Sequence, residues 1–189
     1  MEQPWPRGAV LVPILSNPPH GVIFVERAQH LRRHPGQIGF PGGIVDPSDG
    51  GDPQTTALRE VFEEIGVGPE LVTVVGRLPD LEQAMNRFVI TPIVGVLDAK
   101  TKFAVDGEEI AGVFAVPLAS ILALGSIYED ADPSRLRGKP MYAFDHEGRH
   151  IWGFTGGVLK YFVDAWNEPE SALRRAVKAA WPEEFAREN

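Results

Sequence analysis

The sequence predicts a layered domain of mixed class, α/β (α+β), and three observations carry that expectation. Its 189 residues fall within the roughly 100 to 200 of one domain. Hydrophobic residues make up 43% and charged residues 23%, the balance of a chain that buries a core. Short β-branched apolar runs also alternate with segments of helical period, as in helices layered on a mixed sheet. No internal repeat, low-complexity tract or linker divides the chain, so we expect a single domain.

Ala9–Leu15 and Gly21–Val25 are apolar runs separated by Ser16-Asn17-Pro18-Pro19, which predicts two strands around a turn. A basic segment, Arg27 to His34, follows. From Gly36 to Pro53 the chain carries Pro41, Gly42, Gly43, Pro47, Gly50 and Gly51, too many breakers for a regular element, and a loop is expected. Asp52 then reads as an N-cap, Pro53 as the first helical residue and Gly66 as the C-terminal stop, which sets a helix over about 53–65. At about 100° per residue Leu58, Val61, Phe62 and Ile65 form an apolar stripe to pack on a sheet, with Glu60, Glu63 and Glu64 facing outward. Further strands are expected at Val72–Val75, Phe88–Leu97 and Ile110–Val116, and a hairpin from Met141–Phe144 to His150–Trp152 turns at His146-Glu147-Gly148. Helices are expected near 118–124, 155–166 and 170–180, the last on a peripheral, charged amphipathic tail from Asn167 to Asn189.

Composition narrows the chemistry. The charge sum, 18 basic against 26 acidic residues, is −8, so a nucleic-acid backbone meets a repulsive mean field. With no cysteine there is no disulfide, thiolate nucleophile or sulfur-ligated metal. No stretch approaches the roughly 20 apolar residues that cross a bilayer, and the N-terminus has no leader pattern. A cytoplasmic protein without membrane or nucleic-acid partners is the expectation.

Three glutamates on one helix face are, taken alone, an ordinary solvated surface. Their other reading is a site for a hard divalent cation, Mg²⁺ or Mn²⁺. Glu60 and Glu64 stand at i and i+4 and project side by side, with Glu63 near, and like charges so crowded are unfavourable until a cation joins them. Arg27, Arg32, Arg33 and His34 make a cationic patch in an otherwise acidic chain. Guanidinium forks suit phosphate oxygens, although Arg33 by itself reads as solvated. Gly36, Gly42 and Gly43 permit close backbone approach to a ligand, or serve a tight turn.

The run Gly43 to Arg59-Glu60-Val61-Phe62-Glu63-Glu64-Ile65-Gly66-Val67 resembles the signature of the Nudix hydrolases, G-x5-E-x7-R-E-U-x-E-E-x-G-U with U aliphatic. The second half matches at every specified position. The first half departs: Asp49 stands where the family has Glu, and nine residues rather than seven separate it from Arg59. Upstream, Arg27-Ala28, Arg32, Gly36 and Ile38-Gly39-Phe40-Pro41-Gly42-Gly43 resemble the added motif of the coenzyme A pyrophosphatase branch, which has Ala or Ser at the place of Gly39. Val89-Ile90-Thr91-Pro92 and Ile151-Trp152-Gly153-Phe154-Thr155 extend the similarity to roughly residues 8–166, leaving about 167–189 as a helical extension.

The resemblance implies a Nudix-type α/β/α sandwich with a mixed central β-sheet and a metal-dependent hydrolysis of a pyrophosphate bond. The branch implies coenzyme A, or an acyl derivative, as the substrate split into 3′,5′-ADP and 4′-phosphopantetheine. It implies metal ligation by Glu60 and Glu64, with Glu63 completing the cluster or accepting the proton, and Arg59 orienting the glutamates. Substrate contacts fall on Arg27, Arg32, His34, Gly36, Phe40, Gly42 and Gly43. Glu109 and Glu82 are both open as the general base, each also a plain surface acid. Trp152, Phe154, Trp166 and Trp181 read as packing residues, with adenine stacking open to them, and no role falls to His20, His146 or His150. A broader hydrolase acting on ADP-ribose, NADH or a dinucleoside polyphosphate and a non-catalytic nucleotide-binding module stay open, as does a homodimer. Isopentenyl-diphosphate isomerase, of the same fold, is a poorer match because it employs a cysteine.

Overall fold

The computed structural model describes residues 5–83, 87–105, 107–130 and 140–182. Two strands, β1 (Arg7–Leu15) and β2 (Gly21–Arg27), form the opening hairpin. They touch in register only at Ile14↔Val22 and part toward the far end. There the chain fills the gap with β3 (Ile38–Gly39), paired to β2, and β4 (Gly42–Ile44), paired to β1. Between these two the Leu11 N–H donates to the Pro41 carbonyl at 2.9 Å. The loop expected over residues 36–53 therefore contains two short strands. Its backbone groups are satisfied by ladders of two and three residues, which propensity alone does not signal in a segment so rich in glycine.

A 3-10 turn (Pro47–Asp49) leads to helix α1, Pro53–Ile65, with the bounds the sequence predicts. The Asp52 side chain accepts from the Gln54 and Thr55 N–H groups, and Gly66 closes the helix at φ 71°. After a second 3-10 turn (Pro69–Leu71) come β5 (Val72–Arg77), β6 (Leu81–Gln83), β7 (Phe88–Leu97) and β8 (Ile110–Pro117). Strand β7 runs parallel to β1 over nine residues, Arg7↔Val89 to Leu15↔Leu97, and antiparallel to β5 and β6. Strand β8 is antiparallel to β2. The result is an eight-stranded mixed sheet. A short helix α2 (Leu118–Leu122) precedes a second, antiparallel sheet of β9 (Ile127–Glu129), β10 (Tyr142–His146) and β11 (Arg149–Trp152). Helices α3 (Phe154–Asn167) and α4 (Ala172–Ala179) end the described fold.

Strand alternation divides the core between the two faces of the main sheet. Ala9, Leu11, Ile23, Val25, Ile93 and Leu97 face α1 and its Ala57, Val61 and Ile65. Val12, Ile14, Val22, Phe24, Val94 and Val96 face α3 and the inner side of the second sheet, through Phe144, Ile151, Val158, Leu159 and Phe162. Helix, mixed sheet and helix make the three layers. No helix among the described residues is long and apolar enough to cross a membrane.

Two expectations are corrected here. On α1 the buried stripe is Thr56, Ala57, Val61, Glu64 and Ile65, while Phe62 is 58% exposed and Leu58 only half-buried. Small residues set the close approach of helix to sheet, so the stripe is rotated from the one drawn through the largest side chains, and Glu64 turns inward. The C-terminal helix is also not peripheral. Val177 and Trp181 join the main core, where Trp181 stacks on His20 with centroids 3.8 Å apart. Residues 183–189 of the expected extension lie outside the described residues.

Candidate active site

The splayed end of the hairpin places β4 against the start of β1 and within reach of α1. Gly42 occupies the crossing because nothing larger fits against the β1 backbone, and Gly43 because a side chain there would displace the Glu60 carboxylate. A Cβ on Gly42 would stand 2.3 Å from the Ala9 carbonyl oxygen, and one on Gly43 would stand 2.1 Å from Glu60 Oε1. This close approach lets the Gly42 N–H donate to Glu64 Oε2 at 3.0 Å, fixing a carboxylate that is only 8% exposed.

Arg59 organises the other acids. Its Nε and Nη2 donate to Asp49 Oδ1 and Oδ2 at 2.9 and 3.0 Å, a bidentate fork. Its Nη1 reaches Glu60 Oε1 at 2.8 Å and Glu63 Oε2 at 2.9 Å. Asp49 is buried, and it also accepts from the Thr56 hydroxyl at 2.7 Å and the Asp46 N–H at 3.1 Å. The Arg59 fork, then Thr56, hold the Asp49 carboxyl well below the usual 3.8, so it stays ionised. In this chain Asp49 is the anchor of Arg59, reached over a spacing two residues longer than the family pattern.

Electrostatics point the opposite way at Glu60 and Glu64. Burial pushes Glu64 from 4.5 up to about 8, against the Gly42 N–H, and the charges of Glu60 and Glu109 push it further. Burial also raises Glu60, against the Arg59 contact, with Glu63 and Glu109 adding to the rise. Both acids are thus held where ionisation is costly. Glu63, at 54% exposure, is drawn aside by Arg59. Among the described residues no three acids or histidines converge as a finished cation site, which fits carboxylates that repel one another without a counter-charge. Hard oxygen donors with an excess of negative charge suit a divalent cation of the Mg²⁺ or Mn²⁺ type.

Arg59 and the three glutamates line one cleft of about 1370 Å³, with Asp49 behind its wall. Of the residues the sequence singles out, Arg27, His34, Gly42, Gly43, Arg59, Glu60, Glu63, Glu64 and Glu109 meet there. Arg33, read as solvated, lines it as well, whereas Arg32 is exposed and does not. Gly36 serves a turn: it sits at φ 64°, donates to the Arg27 carbonyl at 3.1 Å and packs over Gln29. Phe40 is corrected outright. It is buried in the core and stacked on Phe24 at 4.8 Å, because the residue after β3 points through the sheet to the α3 side. Glu82 is exposed on β6 and does not line the cleft, which leaves Glu109 as the candidate base. Ile38, Phe88, Ile90 and Phe154 give the cleft an apolar wall. No motif singles out Phe88 or Ile90 as lining. Trp166 and Trp181 are core residues, as read.

Residues 5–135 match the family model described as the NUDIX domain. The chain is 36% identical over 156 residues to the uncharacterized Nudix hydrolase NudL of Enterobacter sp. (strain 638), covering 82% of this chain and 79% of that one. To NudL of Yersinia pestis (strain Pestoides F) it is 38% identical over 158 residues, covering 83% and 78%. Among solved structures, a nudix hydrolase family member from Chromobacterium violaceum aligns with TM-score 0.55 at 18% identity, over 95% of this chain and 90% of that one. A MutT/nudix family protein from Enterococcus faecalis aligns at 0.53 and 16%, over 92% and 68%. At such identities the structures speak for the fold alone, a central mixed sheet flanked by helices. With a matching domain model over most of its length and relatives above one-third identity, the chain belongs to the Nudix family of hydrolases of pyrophosphate bonds.

Proposed function

We propose that this chain hydrolyses the pyrophosphate bond of coenzyme A or an acyl derivative, giving 3′,5′-ADP and 4′-phosphopantetheine. The observation that carries the reading is one cleft with two characters. Arg27, Arg33 and His34 lie along the same cavity as Glu60 and Glu64, so cationic groups for phosphates stand beside carboxylates suited to a cation. Coenzyme A presents both a pyrophosphate and a separate 3′-phosphate to such a surface. The volume, about 1370 Å³, exceeds the roughly 300 to 1,000 Å³ of common ligand pockets, as a nucleotide with a long arm requires. The apolar wall of Ile38, Phe88, Ile90 and Phe154 suits the adenine or the pantetheine chain.

Nudix hydrolases generally use divalent metal ions, and here Glu60 and Glu64 would hold Mg²⁺ or Mn²⁺, with Glu63 as a further ligand. When bound, such an ion supplies charge neutralisation at phosphoryl oxygens and lowers the pKa of water. Around it Arg59 fixes the carboxylates of Glu60 and Glu63 by hydrogen bonds, and the Gly42 N–H fixes that of Glu64. Arg27 and Arg33 bind and orient the phosphates, and Glu109 accepts the proton of the attacking water.

A specific observation favours a second reading, a broader nucleoside-diphosphate hydrolase. A Cβ at Gly39 would meet nothing closer than Thr155 Oγ1 at 3.7 Å, so the cleft is wider here than with the Ala or Ser of the coenzyme A branch. The test is mass-spectrometric product analysis of purified protein with coenzyme A, ADP-ribose and NADH, each with Mg²⁺ or Mn²⁺, beside a Glu64→Gln control. Preferential, metal-dependent 3′,5′-ADP from coenzyme A is the expected result. Better cleavage of ADP-ribose or NADH transfers the assignment to the second reading.

A further inference from the structure

Two phenylalanines line the cleft, Phe88 from the sheet and Phe154 from the first position of α3. Among the described residues neither ring stacks on another ring, whereas Phe40 and Phe114 both stack on Phe24. Both are only half-buried, so ring surface is left to the cleft. Each is held by closely packed backbone. Ile44 of β4, Gly8 of β1 and Ile90 of β7 stand in register on one face of the sheet. Gly8 has no side chain in that row, and the Phe88 ring takes the room: its Cζ and Cε1 lie 3.0 and 3.2 Å from where a Gly8 Cβ would stand. The same Cβ would be 2.8 Å from the Gly43 carbonyl oxygen, and Gly43 packs on Glu60. Phe88, Gly8, Gly43 and Glu60 thus form one packed row from ring to carboxylate. At Phe154 the Thr155 hydroxyl donates to the Ile38 carbonyl at 3.2 Å. Gly156 and Gly157 bring this turn against Tyr142 and Leu81, where a Cβ would stand 1.9 Å from the Tyr142 carbonyl oxygen and 2.7 Å from Leu81 Cδ2.

We propose that Phe88 and Phe154 are specificity-determining residues: they take the heterocyclic base of a nucleoside diphosphate by stacking, and so select base-bearing diphosphates over inorganic diphosphate and esters without a base. A planar base has π faces to set against such rings, and stacking of this kind tolerates any base. An arm of saturated carbons and amides gains only apolar contact there. The base of a nucleoside diphosphate lies one sugar from its phosphates, and in the packed row only Gly8 and Gly43 stand between Phe88 and Glu60. Coenzyme A, ADP-ribose and NADH all carry such a base, so the assignment is independent of the choice among them. It rests on the reading of the cleft as a diphosphate site and names the class of diphosphate admitted.

The test is calorimetric binding of two probes that resist cleavage, each with Mg²⁺. Methylenediphosphonate is the diphosphate alone, and adenosine 5′-(α,β-methylene)diphosphate is the same group carrying a base. The wild-type protein should bind the adenosine probe about tenfold tighter. Phe88→Leu, which keeps apolar bulk and loses the ring, should weaken that probe about fivefold and change methylenediphosphonate by less than about twofold. Phe154→Leu should do the same, while Phe88→Tyr, which keeps the ring, should bind both probes as the wild type does. Equal affinity of the wild-type protein for the two probes overturns the base subsite, as does a Phe88→Leu protein that holds the adenosine probe undiminished. An equal loss for both probes means a disturbed cleft rather than a lost stack and also overturns it. Binding of neither probe by the wild-type protein overturns instead the reading of the cleft as a diphosphate site. With whichever nucleoside diphosphate is cleaved, Phe88→Leu should raise KM about fivefold while kcat stays within about twofold. A fall in kcat at unchanged KM refutes the assignment.

Discussion

Replacing Glu64 by Gln should abolish the chemistry and stabilise the metal-free protein, a combination that distinguishes a ligand from a structural acid. Burial raises Glu64 from 4.5 to about 8, so the folded chain prefers the neutral carboxyl. For an acid with a raised folded value the sign is fixed. Its contribution is most favourable below about 4.5, is lost as pH rises toward 8, and is level beyond. At about 1.4 kcal/mol per pH unit the loss is about 3 kcal/mol by pH 7 and about 5 kcal/mol, as an upper bound, above pH 8. Gln removes this cost yet keeps a carbonyl oxygen for the Gly42 N–H, now 3.0 Å from Oε2.

The assay is thermal unfolding of both proteins in chelator at pH 5, 7 and 9. A chain of this size gains roughly 2–4 °C per kcal/mol, so Glu64→Gln should melt about 6–12 °C higher at pH 7, with a small gap at pH 5 and the largest at pH 9. Added Mg²⁺ or Mn²⁺ should raise the wild-type melting temperature far more than that of the variant. Turnover of the variant should fall at least ~10²-fold. A Gln variant that melts at or below the wild type at pH 9 without metal would refute the assignment of a costly buried charge at this position.

Three further outcomes follow from the same geometry. Gly42→Ala drives a Cβ into the backbone of β1 and should cost about 2–3 kcal/mol in a denaturant titration, while Gly43→Ala meets only the end of the Glu60 side chain and should fold but lose metal-dependent turnover; Gly39→Ser, with open space, should move stability by less than about 0.5 kcal/mol. Arg59→Ala leaves the Asp49 carboxylate without its guanidinium partner and should lower the melting temperature at neutral pH. The Arg59 fork, then Thr56, depress the Asp49 value below 3.8, so this stabilisation is full above that pH and disappears on acidification; melts from pH 6 to 2 should show the wild type and the variant converging at the acid end. Phe154→Ala, removing one of the two aromatics of the cleft wall, should raise KM roughly tenfold with a smaller change in kcat, as steady-state kinetics will read.

The bounds of helix α1 are legible to the residue because their signals are local, although the face it buries is not. Asp52 caps it by accepting from the Gln54 and Thr55 N–H groups, Pro53 opens it with its fixed φ, and Gly66 ends it with an N–H donated to the Phe62 carbonyl. The hairpins and the long strands β7 and β8 are legible for the same reason. Strands β3 and β4 are not, since two or three residues of a glycine-rich segment become strand only because the β1–β2 hairpin opens beside them, and that opening is a tertiary event. Among site residues, the spacing of Glu60 and Glu64 reveals their shared face but not their burial, which depends on Ala57 and Thr56 letting the helix sink toward the sheet. Motif position is a poorer guide than alternation for Phe40, which is adjacent to cleft residues in sequence yet stacks on Phe24 in the core. Arg32 and Arg33 illustrate the same limit, as the backbone trace alone decides which of two adjacent arginines faces the cleft.

The two-residue expansion ahead of α1 shows how a departure from pattern can leave a site intact. Asp49 is one methylene shorter than the expected Glu and two residues farther from Arg59, and both differences act to withdraw its carboxylate. The chain offsets them with a compact double turn. Asp46 caps the 3-10 turn of Pro47–Asp49 through the Ser48 N–H, while its own N–H donates to Asp49 Oδ2. Gly50 and Gly51 follow at φ 66° and 75°, with no atom within 4 Å of a Cβ at either, so conformation rather than space requires glycine there. These two left-handed residues absorb the added length and bring Asp52 back to cap α1. Asp49 is thus buried against the first turns of the helix, where Thr56 and the Arg59 fork reach it. What the site needs is a fixed anion behind Arg59, and sequence spacing is only one of the ways to supply it.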